Sequence, residues 1–161
     1  MTDPTSYPRR DWPRLFLSLP PQKIKEAVRN LTELCQIDDQ ALPQSGLALL
    51  QLRDGALAEP YYIGETPLSR AQVTVIDKNG KKGAGAAQIL DDRTNLARDV
   101  AILDAMLANR LNGHEIIEHL LEEGAHGLAR NEASRSVILE RTRVDFSLLD
   151  ATGERTIKYE Y

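Results

Sequence analysis

The sequence predicts an α+β fold, a small antiparallel sheet with a central hairpin that packs against N-terminal and C-terminal helices. Residues 70–76 alternate polar with apolar side chains, which is the two-residue period of a strand with one buried face. The pair Asn79-Gly80 follows this strand and favours a tight turn into a second strand. Apolar residues at helical spacing lie on both sides, around 24–35 and 96–107.

Length and composition indicate one globular domain. The chain has 161 residues, of which 42% are hydrophobic and 27% charged, and these fractions are ordinary for a soluble fold. We therefore expect a single domain over 1–161, with residues 1–10 and 152–161 as flexible or extra tails.

Charge and hydropathy exclude several classes of protein. The net charge of −4 argues against a broad nucleic-acid surface, and no apolar run reaches the ~20 residues of a membrane span. No secretory signal is visible, and a single cysteine excludes an internal disulfide framework. We therefore expect a cytoplasmic protein that binds neither nucleic acid nor membrane.

Two helices are expected before the sheet. Asp11 can cap a short first helix, since Pro13 then falls in the first turn, where a missing N–H costs little. Pro20-Pro21 breaks this helix and begins a second one, whose apolar residues continue at helical spacing as far as Cys35. Nothing nearby in the sequence would stabilise a thiolate, so we interpret Cys35 as a structural thiol.

The predicted sheet begins with a strand over 47–53, which the turn signal Asp54-Gly55 ends. A shaped corner is expected around Gly64, which can adopt a positive φ, and Pro67, which fixes φ. The return strand of the central hairpin, about 82–90, is rich in Gly and Ala. Such a strand offers little side chain to pack, so another backbone, a helix or a ligand is expected close against it.

Helices are expected again after the sheet. The long pattern that starts at Leu96 should end at Asn112-Gly113, and a short amphipathic helix over 116–121 should be interrupted at Gly124 and Gly127. The remaining predicted segments are a charged helix at 128–142, a closing strand or irregular apolar segment at 143–149, and an edge strand at 157–161.

Glu65 and Arg70 are the first candidates for chemistry. A carboxylate and a guanidinium near one strand entry can orient a polar ligand or contact the charged groups of a partner. The alternative is an intramolecular ion pair that fixes the corner. The sequence favours this alternative, because no third group completes a site.

Arg93 belongs to a second polar run, Asp91-Asp92-Arg93, just before the long helix. Two aspartates suit a helix N-terminus, so capping is the favoured interpretation, and binding of a hard cation is the alternative. The glycines and lysines of 78–85 lie at a hairpin and not between a strand and a helix. We therefore interpret them as a solvated basic turn and not as a phosphate cradle.

The sequence contains no self-evident catalytic or metal site. His114, His119 and His126 lack the i, i+4 spacing of zinc helices, and no nucleophile motif or P-loop is present. We therefore expect no catalytic residue, no metal and no cofactor.

The order of motifs nevertheless resembles the PhnG family, a small subunit of the bacterial carbon–phosphorus lyase system. The most specific segments are Gly64-Glu65-x-x-x-Ser69-Arg70-x-x-Val73 and Val144-Asp145-Phe146, and the similarity covers about 9–149. The other matching pieces are Arg10-Asp11-Trp12, Gly46-Leu47-Ala48-Leu49-Leu50, Arg53, Tyr62-Ile63, Gly85, Ala97, Ala101-Ile102-Leu103-Asp104-Ala105-Met106-Leu107 and Thr142-Arg143.

The chain also departs from the family pattern. Asp91-Asp92-Arg93 stands where members usually have Gly-Arg-Asp, and Leu96 and Arg98 stand where they often carry His and Glu.

The resemblance implies a role in phosphonate breakdown. Members act with PhnH, PhnI and PhnL to convert ATP and an alkylphosphonate, such as methylphosphonate, into a ribose 1-phosphonate 5-triphosphate, with release of adenine. They also join a core assembly with PhnJ, which performs the later radical cleavage. Since the nucleosidase chemistry lies in PhnI, the resemblance implies an interface subunit that is not catalytic alone.

An interface subunit should expose an apolar patch larger than that of an ordinary monomer. We expect it on the helix 96–110, on the helix 116–121 or at 144–146.

The alternative function is a stand-alone protein or enzyme that binds a small phosphate-bearing ligand with Glu65, Arg70 and Arg93. In isolation, the chain could form a homo-oligomer.

Overall fold

A computed structural model describes residues 7–33 and 35–142. It confirms the α+β class, with a three-stranded antiparallel sheet of order β1-β2-β3 packed against helices. The predicted segments 143–149 and 157–161 lie outside the described residues. After a 3-10 turn at Arg9–Asp11, the elements are α1 (Trp12–Leu17), α2 (Pro21–Thr32), β1 (Gln36–Arg53), β2 (Pro60–Ile76), β3 (Lys82–Ile89), α3 (Thr94–Ala108) and α4 (His114–Arg141).

The sheet changes width along its length. β2 pairs with β3 from Ile76 only as far as Ser69, whereas its pairing with β1 continues to Pro60. Beyond Ser69 the sheet is therefore a two-stranded ribbon. We call this ribbon the arm, and define it as residues 46–53 of β1, residues 60–68 of β2 and the turn between them.

Both predicted turns are confirmed. At the tip of the arm, the N–H of Leu57 donates to the side chain of Asp54 at 2.8 Å, and the N–H of Asp54 donates to the carbonyl of Glu59 at 2.9 Å. At the central hairpin, Gly80 has φ +76° and its N–H donates to the carbonyl of Asp77 at 2.9 Å. Glycine is favoured there because other residues rarely adopt this backbone conformation.

The core lies between α3 and the sheet. Ten of the fifteen residues of α3 are buried. One side of the helix packs against the alternate buried residues of β2 and β3, and other residues pack against α1 and α2. A Cβ built on Gly85 of β3 would lie 2.3 Å from the backbone N of Ala105 and 2.4 Å from the carbonyl oxygen of Ala101. The expectation that another backbone lies close against the Gly/Ala-rich strand is therefore confirmed, and the close neighbour is α3.

The burial of α3 contradicts one sequence-based expectation. The apolar residues of the predicted 96–110 patch are inside, for example Val100, Leu103 and Leu107 at 0% exposure. In the predicted 116–121 patch, Ile116 is exposed whereas Ile117 is buried. The helical period of 96–107 marked a core helix, because a helix that is covered on several sides carries apolar residues around most of its circumference.

Two element boundaries also differ from expectation. β1 starts at Gln36, eleven residues before the predicted start at 47, because its first half pairs with the buried half of β2. α4 continues through Gly124 where an interruption was predicted. A Cβ at Gly124 would lie 2.3 Å from the carbonyl oxygen of Leu15, so this glycine allows α1 to approach the helix closely.

The chain forms two compact units, Met1–Leu128 and Ala129–Tyr161. The first contains the sheet, α1 to α3 and the beginning of α4. The described part of the second consists of the last turns of α4 and Thr142, where Val137, Ile138 and Leu139 are exposed. The expectation of a single domain stays a prediction.

Candidate functional site

The arm carries the largest collection of exposed apolar side chains in the first unit. Every residue of its strands is exposed or half-buried, although an isolated two-stranded ribbon is at best marginally stable in water. Monomeric proteins rarely expose contiguous apolar patches of more than a few hundred Å². The arm is therefore the candidate functional site.

The apolar side chains occupy both faces of the arm, because residues opposite each other in an antiparallel pair point to the same face. The first face carries Leu47 and Leu49, at 68% and 63% exposure, with Tyr62 at 61%. The second face carries Leu50 and Leu52, at 41% and 40%, with Tyr61 at 47%. Neither face is covered by another element of the described chain.

The predicted corner is a β-bulge within the arm. The register shifts between Leu50, which pairs with Gly64, and Gln51, which pairs with Tyr62, so that Ile63 is the extra residue. Gly64 has φ +151°, outside the range that other residues readily adopt. An extra residue of this kind bends and twists the ribbon.

Glu65 lies on the arm, next to this bulge. It pairs in register with Leu49 and is exposed, so its carboxylate stands on the first apolar face. Within the described chain it forms neither an ion pair nor a hydrogen bond with Arg70 or Arg93. Five positions separate Glu65 from Arg70 along β2, so their side chains point to opposite faces.

Arg70 lies in the three-stranded part of the sheet, where an amide holds it. Its Nε and Nη2 donate to Oε1 of Gln44 at 3.0 and 2.6 Å. The intramolecular ion pair that the sequence favoured is therefore absent from the described chain. Arg70 lines two shallow cavities of about 170 and 230 Å³.

Arg93 lies at the N-terminus of α3, bound to Asp91. Its Nε donates to Oδ1 and Oδ2 of Asp91 at 2.8 and 3.0 Å, and this interaction lowers the pKa of Asp91 to about 2. Among the residues that the structure describes, no side chain caps α3, so the capping prediction is wrong: Asp91 instead binds the N–H and the guanidinium of Arg93. Arg93 also lines a cavity of about 310 Å³ with Lys25 and Asp99.

Two negative findings bear on other chemistry. Among residues 7–33 and 35–142, no group of three His, Cys, Asp or Glu side chains could hold a metal ion. In the same part of the chain, no helix is long and apolar enough to cross a membrane.

Sequence reasoning missed a buried polar network at Asp104. Its two carboxylate oxygens accept from Nε and Nη2 of Arg9 at 2.8 and 2.6 Å, and Oδ2 also accepts from the N–H of Ala86 at 3.0 Å. Asn109 donates to the carbonyl oxygen of Ala84 at 3.2 Å. The side chains of Asp104, in α3, and of Asn109, directly after the end of α3, occupy the outer edge of β3. The position of Asp104 within an apolar helical run could have indicated this network, since a buried carboxylate needs hydrogen-bond partners.

The departures from the family pattern have local roles. Leu96 is buried in the core. Arg98 donates from Nε and Nη2 to the carboxylate of Asp39 at 2.7 and 3.0 Å, which ties α3 to the first half of β1. The bond to Asp39 raises the pKa of Arg98, whereas burial raises the pKa of the neighbouring Asp99 carboxyl.

The comparison with protein families agrees with the motifs. The model of the family described as phosphonate metabolism protein PhnG matches residues 7–150. A search of curated proteins found none that matches the chain. Since the family match covers nearly the whole sequence, the chain belongs to the PhnG family of phosphonate metabolism proteins.

Proposed function

We propose that this chain is a non-catalytic, interface-forming subunit of a cytoplasmic carbon–phosphorus lyase core complex. Its partners are PhnH-, PhnI-, PhnJ- and PhnL-like subunits. With them it serves the conversion of ATP and an alkylphosphonate into a ribose 1-phosphonate 5-triphosphate. Family membership supports the metabolic role, and the arm supports the interface role.

The exposed apolar area of the arm carries the proposal. On its two strands the exposed leucines, tyrosines and Ile63 are 40–68% accessible. With about 150–250 Å² per large side chain, they expose roughly 700 Å² of side-chain surface, close to the ~800 Å² that each partner buries in a standard interface. Exposed apolar patches of this size mark interaction sites in soluble proteins, so a protein partner is the favoured explanation.

The polar candidates support a non-catalytic role. Arg70 and Arg93 bind Gln44 and Asp91 of the same chain, and Glu65 lies apart from both. A catalytic acid, base and anion-binding group would have to converge within hydrogen-bond reach of one reacting atom. The three side chains do not converge in this way.

Co-expression with the four partner subunits tests the proposal. We expect the chain to co-purify with them, and Leu49→Ser on the arm to reduce its share of the complex at least tenfold. The matched control is Ile116→Ser, which removes an exposed apolar side chain of α4 and should leave assembly unchanged. A chain that purifies as a monodisperse monomer and joins none of the partners contradicts the proposal.

The alternative is binding of a phosphate-bearing small molecule, and the cavity beside α3 is the observation that favours it. Lys25 and Arg93 both line that cavity, and two cations can attract a phosphate. Glu65 and Arg70 do not line it. Calorimetry with ATP and with methylphosphonate on the isolated chain tests this function. Absence of heat with both ligands excludes it, and loss of a measured signal in Arg93→Ala supports it.

A further inference from the structure

We propose that the arm inserts into a two-sided apolar cleft of a partner subunit, where Glu65 meets a lysine or arginine of that partner. This inference rests on the proposed function, because the partner is a protein of the phosphonate assembly. It adds the mode of docking, the chemistry of the receiving surface and the one polar anchor.

The two apolar faces require a cleft. A flat surface covers one face of a ribbon and leaves the other in water. A second copy of the arm stacked on the first also buries only one face of each ribbon, since the outer faces of the pair stay exposed. Leu49 and Tyr62 on the first face, and Leu50 and Tyr61 on the second, are buried together only if the partner encloses the ribbon.

The charge of the arm defines what the cleft must carry. On the two strands of the arm the charged residues are Arg53, at the tip, and Glu65, in the middle, and the turn between the strands adds Asp54 and Glu59 at the tip. The register of Glu65 with Leu49 places the carboxylate among apolar side chains. Burial of an unpaired carboxylate costs several kcal/mol. A complementary cleft therefore offers a cation opposite Glu65 and apolar side chains along the rest of the two strands.

The edges of the sheet direct docking to the arm. At the outer edge of β3, the N–H of Ala86 and the carbonyl of Ala84 are bound to Asp104 and Asn109, so a strand cannot be added there without breaking these bonds. The outer edge of β1 pairs with no strand of the described chain. In the arm, the outer edge of β2 is also unpaired beyond Ser69. An enclosing partner can therefore hydrogen-bond to both edges.

Photo-crosslinking in the co-expressed complex tests enclosure directly. A benzophenone amino acid is introduced at Tyr61 in one variant and at Tyr62 in another, because these neighbours point to opposite faces of the arm. We expect both variants to crosslink to the same partner subunit. The matched control places the probe at Ile116, which is similarly exposed and should give no crosslink to that subunit.

Charge reversal tests the anchor. In Glu65→Lys, a second cation faces the cation of the cleft, and we expect affinity for the partner to fall about tenfold or more. Glu26→Lys makes the same change of charge at an exposed position of α2, outside the arm, and should bind like the wild type.

The outcomes separate this inference from the proposed function. If the chain joins the complex but only one tyrosine position crosslinks, or only Ile116 does, the inference is overturned and the proposed function stands. Crosslinks from both tyrosines to a second copy of this chain overturn the inference as well. Equal binding of Glu65→Lys and Glu26→Lys overturns the anchor. A chain that joins no complex overturns both the inference and the function.

Discussion

Replacement of Gly85 by alanine should separate α3 from the sheet. The new Cβ would lie 2.3 Å from the backbone N of Ala105 and 2.4 Å from the carbonyl oxygen of Ala101. Both atoms belong to a helix backbone and cannot rotate away. To restore ordinary contact, the helix must retreat by about 1 Å, which in a close-packed interior opens a gap along the whole interface.

The loss in free energy of unfolding can be estimated from the width of that gap. A separation of 0.5–1 Å forfeits roughly a quarter to a half of each dispersion contact across the interface, and overpacking typically costs about 1–3 kcal/mol, sometimes more. Because α3 is the most buried helix of the described chain, we expect Gly85→Ala to lower the free energy of unfolding by about 3 kcal/mol or more. This is a large share of a total stability of about 5–15 kcal/mol.

Two other glycines provide matched controls. A Cβ at Gly46 would have nothing within 4 Å, so Gly46→Ala should be neutral or stabilise by up to ~1 kcal/mol, because it restricts the unfolded chain. A Cβ at Gly83 would lie 2.8 Å from the side chain of Asn109. Since this side chain lies at the end of α3, where the backbone can shift locally, Gly83→Ala should have an intermediate effect.

Urea unfolding followed by far-UV circular dichroism measures the three variants under the same conditions. The slope of free energy against urea should be unchanged, since each variant exposes similar surface on unfolding. The expected order of destabilisation is Gly85→Ala, then Gly83→Ala, then Gly46→Ala. If all three lie within about 0.5 kcal/mol of the wild type, the close approach of α3 to β3 is refuted, because random surface changes have effects of that size.

Three further predictions concern polar and apolar side chains. Asp104→Ala should destabilise by about 2–3 kcal/mol in the same urea assay, because the N–H of Ala86 loses its acceptor. Burial would raise the pKa of Asp77, but the N–H groups of Lys81, Asn79 and Asn112 lower it below its ordinary value. Its ionised form therefore stabilises the fold above pH ~4, and the contribution fades as pH falls through the lowered pKa. The difference in stability between wild type and Asp77→Ala should consequently shrink in acid, and a pH-independent difference contradicts this. Leu49→Ser should reduce light scattering by the isolated chain without changing its free energy of unfolding in urea by more than about 0.5 kcal/mol, since Leu49 is exposed.

The candidate site could be predicted only in part. Glu65 was singled out because a glycine and a proline mark a special backbone beside it, and the structure places it next to a bulge. The arm as an apolar surface was not predicted. The sequence pattern predicts a strand at both Leu47 and Val73. An alternating pattern does not indicate whether a helix covers the strand at either position. The role in phosphonate metabolism was indicated by the family motifs, because the spacing of polar and apolar residues alone did not reveal it.

The sequence by itself determined the local structure: the turns at Asp54-Gly55 and Asn79-Gly80, the helical periods and the α+β class. These follow from backbone conformation and from the alternation of polar and apolar residues, which act over a few positions. Tertiary structure decided which apolar surfaces are inside. α3 is buried because Gly85 lets it lie against β3, and the arm is exposed because β3 ends at Ile89, opposite Ser69. Burial depends on contacts between distant segments, and no short stretch of sequence contains them.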